Sequence, residues 1–137
     1  MILLKKIKKY QFKSYSSASG NLFPISFDKK LPIKVKRIFF VYGKKNKIRG
    51  EHAHKKCSQV FIPVFGKIII SIKTPFTKKR IVLNHPSKIA LLVPPKYWCS
   101  VKFVKKNSIL LVACDQFYNF NDYLENFNDY KKYLEKK

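Results

Sequence analysis

Between Arg37 and Asp115 the chain is a series of short runs rich in Ile, Val and Phe, each closed by turn-forming residues. The runs are "VKRIFFVY", "SQVFIPVFGKIIISIK" and "RIVLNHPSKIALLVPPKYWCSVKFVKKNSILLVACD". Gly66, His85-Pro86-Ser87, Pro94-Pro95 and Lys106-Asn107 interrupt them. β-Branched and aromatic runs of this length, at this spacing, predict an all-β sandwich or small barrel. Pro63 predicts an edge or a bulge in its strand, because proline has no N–H to donate to a ladder. Upstream, "SYSSASGN" reads as a loop, "LFPISF" as a short strand and "GKKNKIRGE" as a polar turn.

After residue 120 the period changes. Tyr123, Phe127, Tyr130 and Leu134 recur at helical spacing, which predicts a C-terminal helix over about 121–136. Asp122, three residues before Glu125, resembles a capping box for that helix.

At 137 residues, with 46% apolar and 15% aromatic content, the chain is expected to form one domain spanning 1–137 with a substantial core. The apolar start "MILL" is too short for a signal-peptide core, and no run approaches a membrane-spanning length. Cys57, Cys99 and Cys114 make no CxxC pair and leave one thiol over, which fits a reducing cytoplasm. The expectation is a soluble cytoplasmic domain with no membrane insertion.

A net charge of +23 invites a nucleic-acid reading. The lysines argue otherwise, because they are scattered in doublets along the whole chain instead of gathered on one element. No nucleic-acid partner is expected; the charge instead steers an anionic ligand toward the surface. Only Arg37, Arg49 and Arg80 are arginines, so each stands out against the lysine background.

The candidate chemistry lies in "IRGEHAHKKCSQVF", residues 48–61. Residues two apart in a strand share a face, so Gly50, His52 and His54 are predicted to project together. The spacing from the two histidines to Gln59 and Gly66 resembles the first cupin motif, a hairpin of a double-stranded β-helix barrel. Metal-binding cupins place Glu where this chain has Gln59, and add a third His where this chain has Trp98-Cys99. Two imidazoles without a carboxylate make a weak divalent site, so no metal is expected. Imidazoles free of metal titrate near neutrality and are suited to proton transfer.

Taken together, "SGNLFPISF", "IKVKRIFFVY", "RGEHAHKKCSQ", "LLVPPKYW" and "ILLVACDQFYNFNDYLENF" resemble the nucleotide-sugar 3,4-ketoisomerases along nearly the whole chain. The R-G-x-H-A-H-K-x-x-x-Q signature is matched in full; the last segment also carries Tyr-x-x-x-Asp-Tyr. The resemblance implies a cupin jelly-roll barrel with a C-terminal helix, needing neither metal nor cofactor. It implies conversion of dTDP-4-keto-6-deoxyglucose to a dTDP-3-keto-6-deoxyhexose through an enediol, on the way to a deoxyamino sugar of surface polysaccharide such as O-antigen. His52 and His54 become the acid/base pair, in either order, and Arg49 the partner of the diphosphate.

Lys55 either adds to the phosphate grip or is solvated. Gln59 either bonds a sugar hydroxyl, orients a histidine or is a core amide. Arg37 reaches either the ligand or a buried acidic partner. Trp98 either walls the cavity or packs in the core. Phe39-Phe40 stand where the resemblance calls for tyrosines, leaving Tyr42 or Tyr97 to supply a phenol. "SSASGN" lacks the arginine expected before its glycine, and "FPISF" lacks an acidic residue. The resemblance also implies a homodimer, with strand exchange near "MILL". A non-catalytic sugar-nucleotide-binding cupin is the alternative.

Overall fold

The computed structural model describes residues 3–84 and 88–136. The His85-Pro86-Ser87 turn and the Met1-Ile2 start of "MILL" lie outside the described residues. In chain order the strands are β1 (Lys8–Gln11), β2 (Tyr15–Ser17), β3 (Gly20–Leu22), β4 (Arg37–Tyr42), β5 (Ile48–His54) and β6 (Gln59–Phe65). They continue as β7 (Lys67–Lys73), β8 (Lys78–Asn84), β9 (Ile89–Val93), β10 (Trp98–Phe103), β11 (Ile109–Cys114) and β12 (Tyr123–Leu124), and helix α1 (Phe127–Glu135) follows.

Two five-stranded antiparallel sheets face each other, in the orders β1-β9-β6-β11-β4 and β12-β5-β10-β7-β8. From β4 to β7 each strand lies in the opposite sheet from the one before it, and the same holds from β8 to β11. This winding is a jelly roll, which agrees with the sandwich or barrel that the punctuated runs predict and with the barrel that the resemblance implies. Gly66 is one of its corners, at φ +83°, where a Cβ would collide with Ser108 Oγ. Pro63 sits beside a register shift between β6 and β11, so its strand is indeed bulged there.

Side-chain alternation builds the core. On β7 the buried residues are Ile68, Ile70 and Ile72, which meet Phe61, Leu91, Val93, Leu110 and Val112 across the sandwich. Each such burial stabilises the fold by roughly 1.5–3 kcal/mol. β6 and β9 are covered on both faces, which is why "QVFIP" and "IALLV" read as continuous apolar runs. Their outward residues Val60, Ile62, Ala90 and Leu92 pack under Phe12 and Leu31, with Phe23, Ile25, Ile33 and Val35 alongside.

That cover corrects the reading of "LFPISF". Only Leu22 belongs to a strand; Phe23 and Ile25 serve as apolar lids around Pro24, which has no N–H for a ladder. "SYSSASGN" is likewise not a plain loop but the β2–β3 hairpin.

The C-terminal helix begins later than its periodicity predicts. Asn126 is the N-cap, its side chain accepting from Asp129 N at 3.1 Å, so α1 starts at Phe127. Phe120–Asp122 form a 3₁₀ turn, and Tyr123-Leu124 pair with His54-Ala53 of β5. The Asp122–Glu125 capping box is therefore not made, because the Asp122 carboxylate is engaged elsewhere. The rest of the helical face behaves as expected. Tyr130 and Leu134 are buried with Ala53, Trp98 and Leu124, and the Tyr130 hydroxyl donates to Lys96 O at 2.9 Å. No helix among the described residues is long and apolar enough to cross a membrane.

Candidate active site

Strict alternation along β5 would turn Arg49 and His52, three residues apart, to opposite faces. The strand avoids this with a bulge. Gly50 (φ +90°) and Glu51 (φ +62°) both lie in the left-handed region. Cys99 pairs with His52 while Ser100 pairs with Gly50, so Glu51 is the extra residue. Beyond it, Ala53 faces the helix while His52 and His54 face inward. A non-glycine residue held at positive φ costs on the order of 1–3 kcal/mol. Here that strain brings Arg49 and His52 to one cavity wall.

The cavity has a volume of about 560 Å³ and opens between β4 and β5. Its polar walls are Arg49, His52, Gln59 and Tyr123; Phe39, Val41, Phe61 and Val112 supply the apolar ones. Cys99 also faces it, with a thiol that burial pushes up to about 12 and so keeps unreactive.

His54 stands next to His52, the rings edge-on with centroids 5.0 Å apart, and the Tyr123 ring packs on both. Its Nδ1 lies 2.9 Å from Asp122 Oδ2. Asp122 is itself held firmly: Oδ1 accepts from Lys56 N at 2.7 Å and its carbonyl from Lys55 N at 2.8 Å. A carboxylate can only accept, so Nδ1 carries the proton and Nε2 presents a lone pair. That Nε2 is buried and has no hydrogen-bond partner among the described residues. Burial lowers the His54 pKa below the ordinary imidazole value, partly opposed by the Asp122 hydrogen bond. Burial lowers His52 as well, against a hydrogen bond that its ring donates to the Gly50 backbone carbonyl. Both shifts favour the neutral imidazole.

Arg37 stands close by, stacked over Tyr118 and Phe39, with its guanidinium interacting with the Tyr123 phenol. Its Nε is the other buried side-chain atom without a partner among the described residues. Gln59 Nε2 contacts Cys114 Sγ at 3.6 Å. The Cys57 hydrogen bond, then Gln59 and Arg37, draw the Cys114 thiol below its ordinary value.

Of the residues singled out from sequence, the structure brings Arg49, His52, His54, Gln59 and Arg37 into this one region. It does not bring Lys55, Tyr97 or Trp98. The Lys55 ammonium lies over the Tyr133 ring on the helix side. Tyr97 donates its hydroxyl to Lys5 O. Trp98 is a core residue, edge-on to Phe127 at 5.2 Å beneath α1. Tyr42 contributes to the cavity rim but is 75% exposed. The phenol at the histidines is that of Tyr123. Sequence reasoning missed Tyr123 and Asp122 as site residues because the helical period absorbed both. The signal that marked them was Tyr118-x-x-x-Asp122-Tyr123.

The chain is similar to known proteins along nearly its whole length. Residues 5–135 match the family described as FdtA: WxcM-like, C-terminal. A curated relative, the TDP-4-oxo-6-deoxy-alpha-D-glucose-3,4-oxoisomerase of Aneurinibacillus thermoaerophilus, is 28% identical over 94% of this chain and 93% of its own. The sugar 3,4-ketoisomerase QdtA of Thermoanaerobacterium thermosaccharolyticum, solved in complex with TDP, superimposes with a TM-score of 0.87 at 31% identity, covering 96% of both chains. A 3,4-ketoisomerase from Helicobacter canadensis gives a TM-score of 0.88 at 28% identity over 95% of this chain and 98% of that one. With the match running from residue 5 to residue 135, this chain belongs to the FdtA family of WxcM-like C-terminal domains.

Proposed function

We propose that the chain is a sugar-nucleotide 3,4-ketoisomerase that converts dTDP-4-keto-6-deoxyglucose into a dTDP-3-keto-6-deoxyhexose, using imidazole acid/base groups and no metal. The observation that carries this reading is the Asp122–His54 pair, with a buried, unpartnered Nε2 beside His52 at a cavity wall.

In this mechanism His54 Nε2 takes the proton from C3, and the electron pair moves through C4 to the ketone oxygen. Protonation of that oxygen gives the enediol. His54 then returns a proton to C4, while His52 accepts the hydroxyl proton at C3 and supplies the one gained at the C4 oxygen. Hydrogen and charge balance, and no electron acceptor is needed. Asp122 stabilises the imidazolium formed on His54, which is worth on the order of 10²–10⁴ in rate for a positioned acid/base group. Tyr123 places a phenol within reach of the same oxygens, braced by Arg37. Arg49, at the open rim of the cavity, offers its planar fork to the diphosphate. Gln59, whose amide nitrogen is turned to Cys114, keeps its carbonyl for a sugar hydroxyl.

The product is a precursor for amination at C3, as a deoxyamino sugar of surface polysaccharide requires, and the free thiols suit a cytoplasmic setting. A homodimer belongs to the same reading. β4 is an edge strand whose outward Ile38, Phe40 and Tyr42 carry no charge, whereas the other sheet ends in the lysine-rich edge β8. Light scattering after size exclusion tests it: a monomer at micromolar concentration refutes the dimer.

The activity itself is tested by incubation with dTDP-4-keto-6-deoxyglucose in deuterium oxide. Deuterium at C3 or C4 with a new ketone at C3 is expected. Binding of the nucleotide sugar with neither change would leave a non-catalytic binding protein and overturn the isomerase.

A further inference from the structure

Cys57 takes no part in the proton-transfer chemistry, yet it is 2% exposed and lies against the catalytic pair. One imidazole nitrogen of His54, the Cys57 sulfur and one Asp122 carboxylate oxygen all lie within 4.8 Å of one another, and all three residues are buried. This group differs from the usual metal-cupin set, because it uses only one of the two histidines and takes its carboxylate from the far end of the chain.

We infer that His54, Cys57 and Asp122 form a latent binding site for a soft divalent cation, zinc above all, whose occupation switches the acid/base chemistry off. The inference rests on the reading of His54 and Asp122 given above.

Three considerations support it. The donor set suits the ion: thiolate, imidazole and carboxylate are zinc ligands, and three protein ligands plus water complete a tetrahedron. The distances suit it too. Zinc bonds of about 2.0–2.3 Å set neighbouring donors about 3.3–3.8 Å apart, so the widest separation here closes by roughly 1 Å through side-chain rotation. The charges balance, since a dication with one thiolate and one carboxylate is neutral, which removes most of the repulsion from the Arg37 guanidinium near His54. Binding expels the Cys57 thiol proton to solvent. It also occupies either His54 Nε2 or the Nδ1 that Asp122 holds, and in both cases the imidazole can no longer accept the C3 proton.

Cobalt(II) is the probe, because a thiolate ligand gives it a near-ultraviolet charge-transfer band that imidazole and carboxylate do not. Titration of the purified protein with Co2+ alone is expected to produce that band at one equivalent, and Zn2+ to abolish it by displacement. Cys57→Ser and Cys57→Ala should lose the band while keeping isomerase turnover. Their half-inhibitory zinc concentration should rise by at least about the 10–100-fold that even outer ligand-sphere losses cause. A wild-type protein that shows no thiolate–cobalt band refutes the site without recourse to any variant. So does zinc inhibition that is the same in Cys57→Ser as in wild type, which would place the ion on His52 and His54 alone. A cobalt band in a protein without isomerase activity would uphold the site and refute the isomerase instead.

Discussion

The substitution Asp122→Asn keeps the volume of the side chain but removes its charge and its ability to accept from His54 Nδ1 while still holding Lys56 N. The oxygen of the new amide would still accept from Lys56 N, which now lies 2.7 Å from Oδ1. The amide NH₂ would then face the ring nitrogen that is 2.9 Å from Oδ2. Two donors cannot face each other, so the imidazole moves its proton to Nε2 and presents a lone pair to the amide. The nitrogen aimed at the substrate then carries a proton and cannot act as base. The variant also loses the charge that stabilises imidazolium. Together these predict a fall in kcat of about 10²–10⁴-fold, of the order seen when the orienting carboxylate of a hydrolase triad becomes an amide. KM should change little, because Asp122 does not line the cavity. Stability should fall by about 1–2 kcal/mol, the difference between a charge-assisted and a neutral hydrogen bond. The assay is the rate of deuterium incorporation followed by NMR, with circular dichroism to confirm the fold. A variant that folds and retains more than a third of wild-type kcat would refute the orienting role.

Other expectations follow from the same geometry. Because burial holds both imidazoles below their ordinary value, the acid limb of kcat/KM should lie below pH 6.5; a limb above pH 7 would contradict this. The same depression makes the unfolded chain bind more protons. The stability from these groups is thus full above about pH 6.5 and declines as pH falls toward the folded values, which thermal melts from pH 8 to 5 should register. Trp98→Ala should cost about 3–5 kcal/mol by emptying the space under α1, with activity preserved in the fraction that remains folded. Gly50→Ala puts a Cβ 3.3 Å from Cys99 O at φ +90°. It should lower the melting temperature by roughly 3–6 °C and raise KM through displacement of Arg49.

The sandwich was legible in sequence because β7 alternates cleanly and Gly66 marks a corner, both local signals. The histidine pair was legible for the same reason, since a two-residue repeat is local. What joined His54 to Asp122 was not, because the partners lie 68 positions apart. Their pairing depends on β12 adding to β5, and a two-residue strand leaves no period to detect. Arg49 presents the opposite case. Its motif pointed to the site while its strand phase pointed away, and only the left-handed backbone at Gly50 and Glu51 reconciles them. Lys55 follows the motif in sequence and Trp98 precedes Cys99, the strand partner of His52, yet Lys55 and Trp98 pack on the helix side and Tyr97 bonds Lys5 near the N-terminus.

The extra residue in β5 also bears on how such a protein can change. Shortening this strand by one residue, at Glu51, would give the chain a more regular ladder and relieve two left-handed positions. Arg49 and His52 would then stand two residues apart and still share a face, so the deletion would keep both on the cavity wall. Flattening the bulge at constant length is the change that separates them, because three regular strand positions turn Arg49 and His52 to opposite faces. A substitution that drew Glu51 into the ladder would thus leave a sound barrel in which Arg49 no longer faces the histidines.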